Sequence, residues 1–142
     1  MNYGEGYSPP ESKSPLTAHY YGDAVRRLFL LGGIIMILTL PFFSNLIPVS
    51  GWVSLFAIIV VGVVSGLTNP MHIWVAVFNL VISVIAFAVF EYYAVLQYLA
   101  DGNAKETWFF LTNQALALIF FVAIYYATKT LRGDLLRKKD AV

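Results

Sequence analysis

An apolar run of twenty residues at positions 71–90, the last part of a longer stretch without Asp, Glu, Lys or Arg, constrains this chain more than any other feature of its sequence. A helix of that length is about 30 Å long, which matches the hydrocarbon thickness of a bilayer. Hydrophobic residues make up 59% of the chain and charged residues 12%. A soluble domain averages about 45–50% and about 25%. The sequence therefore predicts an integral membrane protein.

Turn and cap residues divide the apolar part of the chain into four predicted helices in two hairpins, at about 24–43, 51–67, 70–99 and 104–131. Asn69 followed by Pro70 is a strong start signal for the third helix. Asn103 with Glu106 three residues later resembles a capping box that begins the fourth helix. We expect Gly133 to close that helix. The predicted fold class is an all-α bundle of four transmembrane helices with short loops.

The charges at the two ends of the chain predict its orientation. Residues 1–20 are polar and rich in Pro and Ser, which predicts a flexible tail before a transmembrane domain at 21–133. Residues 134–142 form a short basic tail. Eight of the nine Lys and Arg residues flank the first and last helices, and only Lys105 falls on the other side. Because cationic flanks are retained in the cytoplasm, we expect both termini there, with a bacterial inner membrane as the default.

Glu91 is the one acidic residue in the third predicted helix. If that helix is strongly tilted, the carboxylate lies in the hydrocarbon, where its ionised form costs about 2.5–3.5 kcal/mol and needs a partner, a proton or a functional role. If the span ends at residue 90, Glu91 lies at the interface beside Tyr92 and Tyr93. Counting back from the turn of the second hairpin places Glu91 level with Gln114. We favour the near-interface placement, with a hydrogen bond to Gln114 or Asn113.

A polar row runs along the third helix. Asn79, Ser83, Phe87 and Glu91 are spaced by four residues and share one helix face. Polar groups at membrane depth face protein or water instead of lipid. We favour hydrogen bonding between helices over the wall of an aqueous path, because one acid and two small polar groups make a thin pore lining.

Small residues mark a second candidate contact. Gly62 and Gly66 form a small-xxx-small patch on the second helix, and Gly32 and Gly33 lie on the first. Small residues let helices approach closely in a membrane, where association depends on packing contacts. We expect the two glycine pairs to meet within the bundle, with homodimerisation through the patch as the alternative.

The sequence offers little that resembles catalysis. There is no cysteine, His19 and His72 form no helical pair of metal ligands, and no glycine-rich phosphate loop is present. We therefore expect no metal, no cofactor, no nucleic acid and no enzymatic activity. The leading hypothesis is a non-enzymatic accessory or assembly component of a membrane complex, with the lipid bilayer and a larger membrane protein as partners. The alternative is a small homo-oligomeric transporter or channel that uses the polar row.

Overall fold

The structure, a computed structural model, describes residues 21–47, 49–67, 73–99 and 103–140. These residues form four α-helices and no strand: α1 Gly22–Phe43, α2 Gly51–Gly66, α3 Ile73–Leu99 and α4 Ala104–Asp140. The predicted all-α fold class with four apolar helices is confirmed.

Three of the helices, α1, α3 and α4, are long and apolar enough to cross a membrane. The fourth, α2, is apolar but has 16 residues, which is about 24 Å of helix. Aromatic contacts show that α1 and α4 run antiparallel, since Tyr21 meets Tyr126 while Phe43 meets Phe109. Ring contacts show that α3 is also antiparallel to α4, so α1 and α3 point the same way. The chain must therefore return along α2 between them.

The helices pack as a chain of neighbours instead of a closed square. α3 and α4 share the most extensive interface, and α1 packs against both α2 and α4. No comparably extensive interface joins the described residues of α2 and α3. The side between α2 and α3 is therefore the open side of the bundle.

Phe120 of α4 is the centre of the core. Its side chain is fully buried, and its ring lies 5.6 Å from the ring of Phe29 of α1. On its other side it stacks on Phe90 of α3, also at 5.6 Å and with an interplanar angle of 16°. Val61 and Val64 bring α2 into the same cluster. One aromatic side chain thus joins three helices.

The capping residues in the sequence correspond to capping hydrogen bonds at some helix starts and not at others. The capping box at the start of α4 is confirmed: the Asn103 side chain accepts bonds from the amides of Lys105 and Glu106, and Glu106 accepts one from the Asn103 amide. At α1, Asp23 lies in the first turn and makes no capping hydrogen bond. Its charge still suits the positive end of the helix dipole. The predicted start of α3 at Pro70 lies outside the described residues.

The predicted end of α4 is wrong. The helix does not stop at Leu131, and Gly133 lies inside it instead of closing it, since α4 continues to Asp140. A glycine inside a helix costs only about 1 kcal/mol, and the residues that follow are mostly Leu, Arg and Lys, which are good helix formers. The segment predicted as a basic tail is therefore helical as far as Asp140.

Candidate functional site

Glu91 and Gln114 form a hydrogen bond between α3 and α4. The Gln114 side-chain amide Nε2 donates to Glu91 Oε2 over 3.3 Å, and both side chains are partly buried. The prediction that hairpin geometry brings these two residues level is confirmed. The bond gives the carboxylate a donor within the bundle, which a polar group at membrane depth requires.

The position of this pair along the bundle axis can be compared with the position of the end of α1. Phe43, the last residue of α1, contacts Phe109 of α4 with ring centroids 5.3 Å apart. Gln114 lies five residues further along α4, about 7–8 Å towards the middle of the bundle. Glu91 therefore lies at a depth that α1 also covers, and not beyond the end of α1.

Asn113 does not take part in this pair. Its side chain is 4% exposed, and its Nδ2 donates to the backbone oxygen of Phe109 on its own helix over 2.8 Å. Of the two partners predicted for Glu91, the structure therefore selects Gln114. The Asn113 side chain instead bonds to the backbone of its own helix.

Asn79 and Ser83 lie on the buried face of α3. Ser83 is fully buried, and its hydroxyl donates to the backbone oxygen of Asn79 over 2.7 Å. Asn79 is 5% exposed, and its side-chain oxygen Oδ1 has no hydrogen-bond partner. The described residues thus supply no side-chain bond between helices from this part of the row. The bonds predicted there between helices are seen only at Glu91.

The four glycines do not meet one another. A Cβ atom on Gly32 would lie 3.1 Å from the ring of Phe120 of α4, and one on Gly33 would lie 3.7 Å from Val61 of α2. Gly62 and Gly66 are exposed, and a Cβ on either would have no neighbour within 4 Å among the described residues. The expected contact between the two glycine pairs is wrong. The Gly62 and Gly66 face of α2 points away from the core.

An apolar cavity of about 350 Å³ lies at the end of the bundle where the two hairpins turn, and all four helices line it. The buried apolar side chains in its wall come from three helices: Phe43, Ile58, Phe109 and Leu116. Sequence reasoning did not find it, because every wall residue also fits an ordinary membrane helix. The sequence feature that could have indicated the cavity is a group of small side chains near the turn of the first hairpin: Thr39, Ser54 and Ala57.

Aromatic and basic residues come together at the opposite end of the bundle. Lys129 Nζ lies 4.4 Å from the centroid of the Tyr21 ring and 5.8 Å from that of Tyr125. Arg26 and Arg27 lie near the start of α1, at the same end, and Lys105 lies at the start of α4, at the other. The described ends of the chain therefore share one end of the bundle with most of its basic residues.

Metal ligation finds no support in the described part of the chain. Those residues contain no group of three His, Asp or Glu side chains that could hold an ion. His19 and His72 lie outside the described residues. No family model, no curated protein and no solved structure matches this chain.

Proposed function

We propose that this protein is a non-enzymatic accessory or assembly component of a larger membrane complex. The observation that carries the proposal is the outer face of α2, where Gly62 and Gly66 are exposed and have open space around them. Among the described residues, a Cβ at either glycine would meet no other helix, and α2 packs extensively only on α1. Small residues on a membrane helix allow another helix to approach closely and gain packing contacts.

The polar residues of the chain support the same proposal. Glu91 receives its bond from Gln114, and the donors of Ser83 and Asn113 bond to carbonyl oxygens of their own helices. Ser83 is fully buried and the Glu91 pair is half-buried, so within the described residues these groups lie against protein. A scaffold that offers an outer face to a partner needs polar groups only for its own packing.

We further propose that both termini are cytoplasmic and that the membrane is the bacterial inner membrane. The support is the uneven placement of the basic residues. Arg26, Arg27, Lys129 and Arg132 lie towards the end of the bundle where the described chain begins, and Lys105 lies towards the other end. Basic residues beside membrane helices are retained on the cytoplasmic side. A cysteine placed at Lys105 should then react with an impermeant thiol reagent added outside intact cells, and a cysteine at Arg132 should not.

The partner is tested by gentle extraction of a C-terminally tagged chain from native membranes, followed by measurement of the composition and mass of the complex. We expect a larger partner in fixed stoichiometry. Gly62→Leu should release the partner, because the new side chain fills the space into which the partner's helix packs. Val63→Leu is the matched control. Val63 is the next residue along α2, is 53% exposed and already carries a branched side chain. Retention of the partner by Gly62→Leu would contradict the proposal.

A second candidate is a homo-oligomeric transporter or channel. The observation in its favour is the buried Asn79 Oδ1, which has no hydrogen-bond partner on the same helix row as Ser83 and Glu91. A bound cation within the bundle could supply a partner to that oxygen. Vesicle flux of protons, ions or small cations that disappears in Glu91→Gln would support this candidate, and absence of such flux from the wild type would exclude it for those ions.

A further inference from the structure

The cavity where the hairpins turn has an incomplete wall. Met36 of α1, Ile58 of α2, Phe90 of α3 and Leu116 of α4 all line it, yet α2 and α3 share no extensive interface among the described residues. Since α1 packs on α2 and on α4, and α4 packs on α3, the opening lies between α2 and α3. In a membrane this opening faces the hydrocarbon of the bilayer.

The polar residues that line the cavity leave it apolar. Thr39 donates to the Ile35 oxygen over 2.7 Å, and Thr112 donates to the Trp108 oxygen over 2.8 Å, each on its own helix. Asn113 donates to its own helix in the same way. Water needs two to four polar partners to occupy a cavity, and apolar cavities stay dry. The occupant must therefore be apolar over most of its length.

The size and lining of the cavity favour a slender apolar ligand. The cavity has a volume of about 350 Å³, near the lower end of the range for small-molecule sites. A volume in this range suits part of a small ligand.

Two lining hydroxyls remain for the polar end of the occupant. Ser54 lies in the first turn of α2, close to the loop end of the bundle, and Tyr93 lies two residues after Glu91 on α3. Neither hydroxyl makes a hydrogen bond within the described part of the chain. Hydroxyl groups can donate to the ester carbonyl oxygens that join acyl chains to a lipid headgroup.

We propose that this cavity is a binding site for one acyl chain of a bilayer phospholipid, which enters between α2 and α3. The chain contacts Ile58, Phe90 and Leu116, and the ester group lies near Ser54 at the loop end. The site is separate from the Gly62 and Gly66 face and does not depend on a protein partner. Its chemistry requires only a lipid that carries an acyl chain and an ester acceptor.

The test uses the full chain reconstituted in phosphatidylcholine vesicles that contain a phosphatidylcholine with a photoreactive diazirine in the middle of one acyl chain. After irradiation, labelled residues are located by mass spectrometry. We expect label on Leu116, which is 3% exposed, as well as on outward-facing residues such as Ile59, which is 52% exposed. Label on Ile59 without label on Leu116 or Ile58 overturns the proposal.

Cavity-filling variants separate binding from occasional opening of the bundle. Ala57→Phe places a ring in the cavity and should reduce labelling of Leu116 several-fold, with Ile59 labelled as before. Val89→Phe fills the cavity from α3 and should do the same if the first variant fails to fold. Ile59→Phe adds the same ring to the outer face and should leave Leu116 labelled. Unchanged labelling of Leu116 in a folded cavity-filling variant overturns the proposal.

Two further arms identify the source of the chain. A diazirine fatty acid in otherwise unlabelled vesicles should label Leu116 less than the phospholipid does at equal amounts. Labelling by the free acid alone overturns the assignment to a bilayer lipid. Loss of Leu116 labelling at high protein density, with recovery on dilution into lipid, would show that a second copy covers the opening and would also overturn it.

Discussion

Gly32 of α1 lies against the ring of Phe120 of α4, so close that an added Cβ atom would be 3.1 Å from two ring atoms. The ring has little room to move, because Phe29 and Phe90 contact it from two other directions. The close approach of α1 to α4 therefore depends on the absence of a side chain at position 32.

Gly32→Leu should destabilise the protein by about 1–3 kcal/mol, which is the usual effect of forcing extra methylene groups into a packed core. Gly62→Leu is the matched control, since the same substitution there meets open space. Both variants are compared by reversible unfolding in mixed micelles, followed by circular dichroism. Equal stabilities for the two variants would contradict the packing described at Phe120.

The bond between Glu91 and Gln114 predicts energetic coupling. Gln114→Leu removes the donor and leaves the carboxylate without a partner in the bundle, whereas the double variant with Glu91→Leu removes both groups. We expect a coupling free energy of about 0.6–1.7 kcal/mol in a double-mutant cycle, as for other hydrogen bonds between membrane helices. If the effects of the two single substitutions simply add, the bond does not stabilise the hairpin.

Asn79 should tolerate loss of its amide. A buried oxygen without a hydrogen-bond partner costs about 1–3 kcal/mol, so Asn79→Leu should leave the midpoint of unfolding unchanged or raise it. Ser83→Leu, which removes a satisfied hydroxyl and adds volume at a fully buried position, should lower the midpoint instead. A marked loss of stability in Asn79→Leu would mean that the oxygen has a partner, such as an ordered water or an ion.

The capping box at the start of α4 should control local opening of that helix. Asn103→Ala removes the oxygen that accepts from the amides of Lys105 and Glu106 and should cost about 0.5–2 kcal/mol. The measurement is hydrogen exchange of the two amides, which should speed up while exchange near Phe120 stays unchanged. Asn103→Ser keeps an acceptor oxygen at the cap and should restore most of the protection.

The sequence predicted those features that depend on residues close together along the chain. The 3.6-residue helix needs about twenty apolar residues to span a bilayer, and the hairpin turn sets which residues of α3 and α4 are level. Those two facts were enough to bring Glu91 level with Gln114, but they left both Gln114 and Asn113 open as its hydrogen-bond partner. The capping box at Asn103 was equally readable, because its two partners lie within three residues of each other.

Contacts between distant segments were harder to predict, for a physical reason. Membrane helices present apolar residues to lipid and to protein alike, so the sequence does not show which face is buried. The glycines illustrate this: all four fit close packing, but within the described part of the chain only Gly32 and Gly33 lie against side chains of other helices. The cavity was missed for the same reason, since it results from which helix pairs do not pack.

The length of α4 has a practical consequence for imaging a protein of 15.8 kDa. α1 starts beside Tyr126, whereas α4 continues without a break to Asp140. About 14 residues, or roughly 21 Å of helix, therefore extend past the start of α1. A helical domain fused in register after Asp140 would share the axis of α4, and each residue inserted at the junction would turn it by about 100°. Such a fusion would supply the mass and the fixed orientation that single-particle microscopy needs.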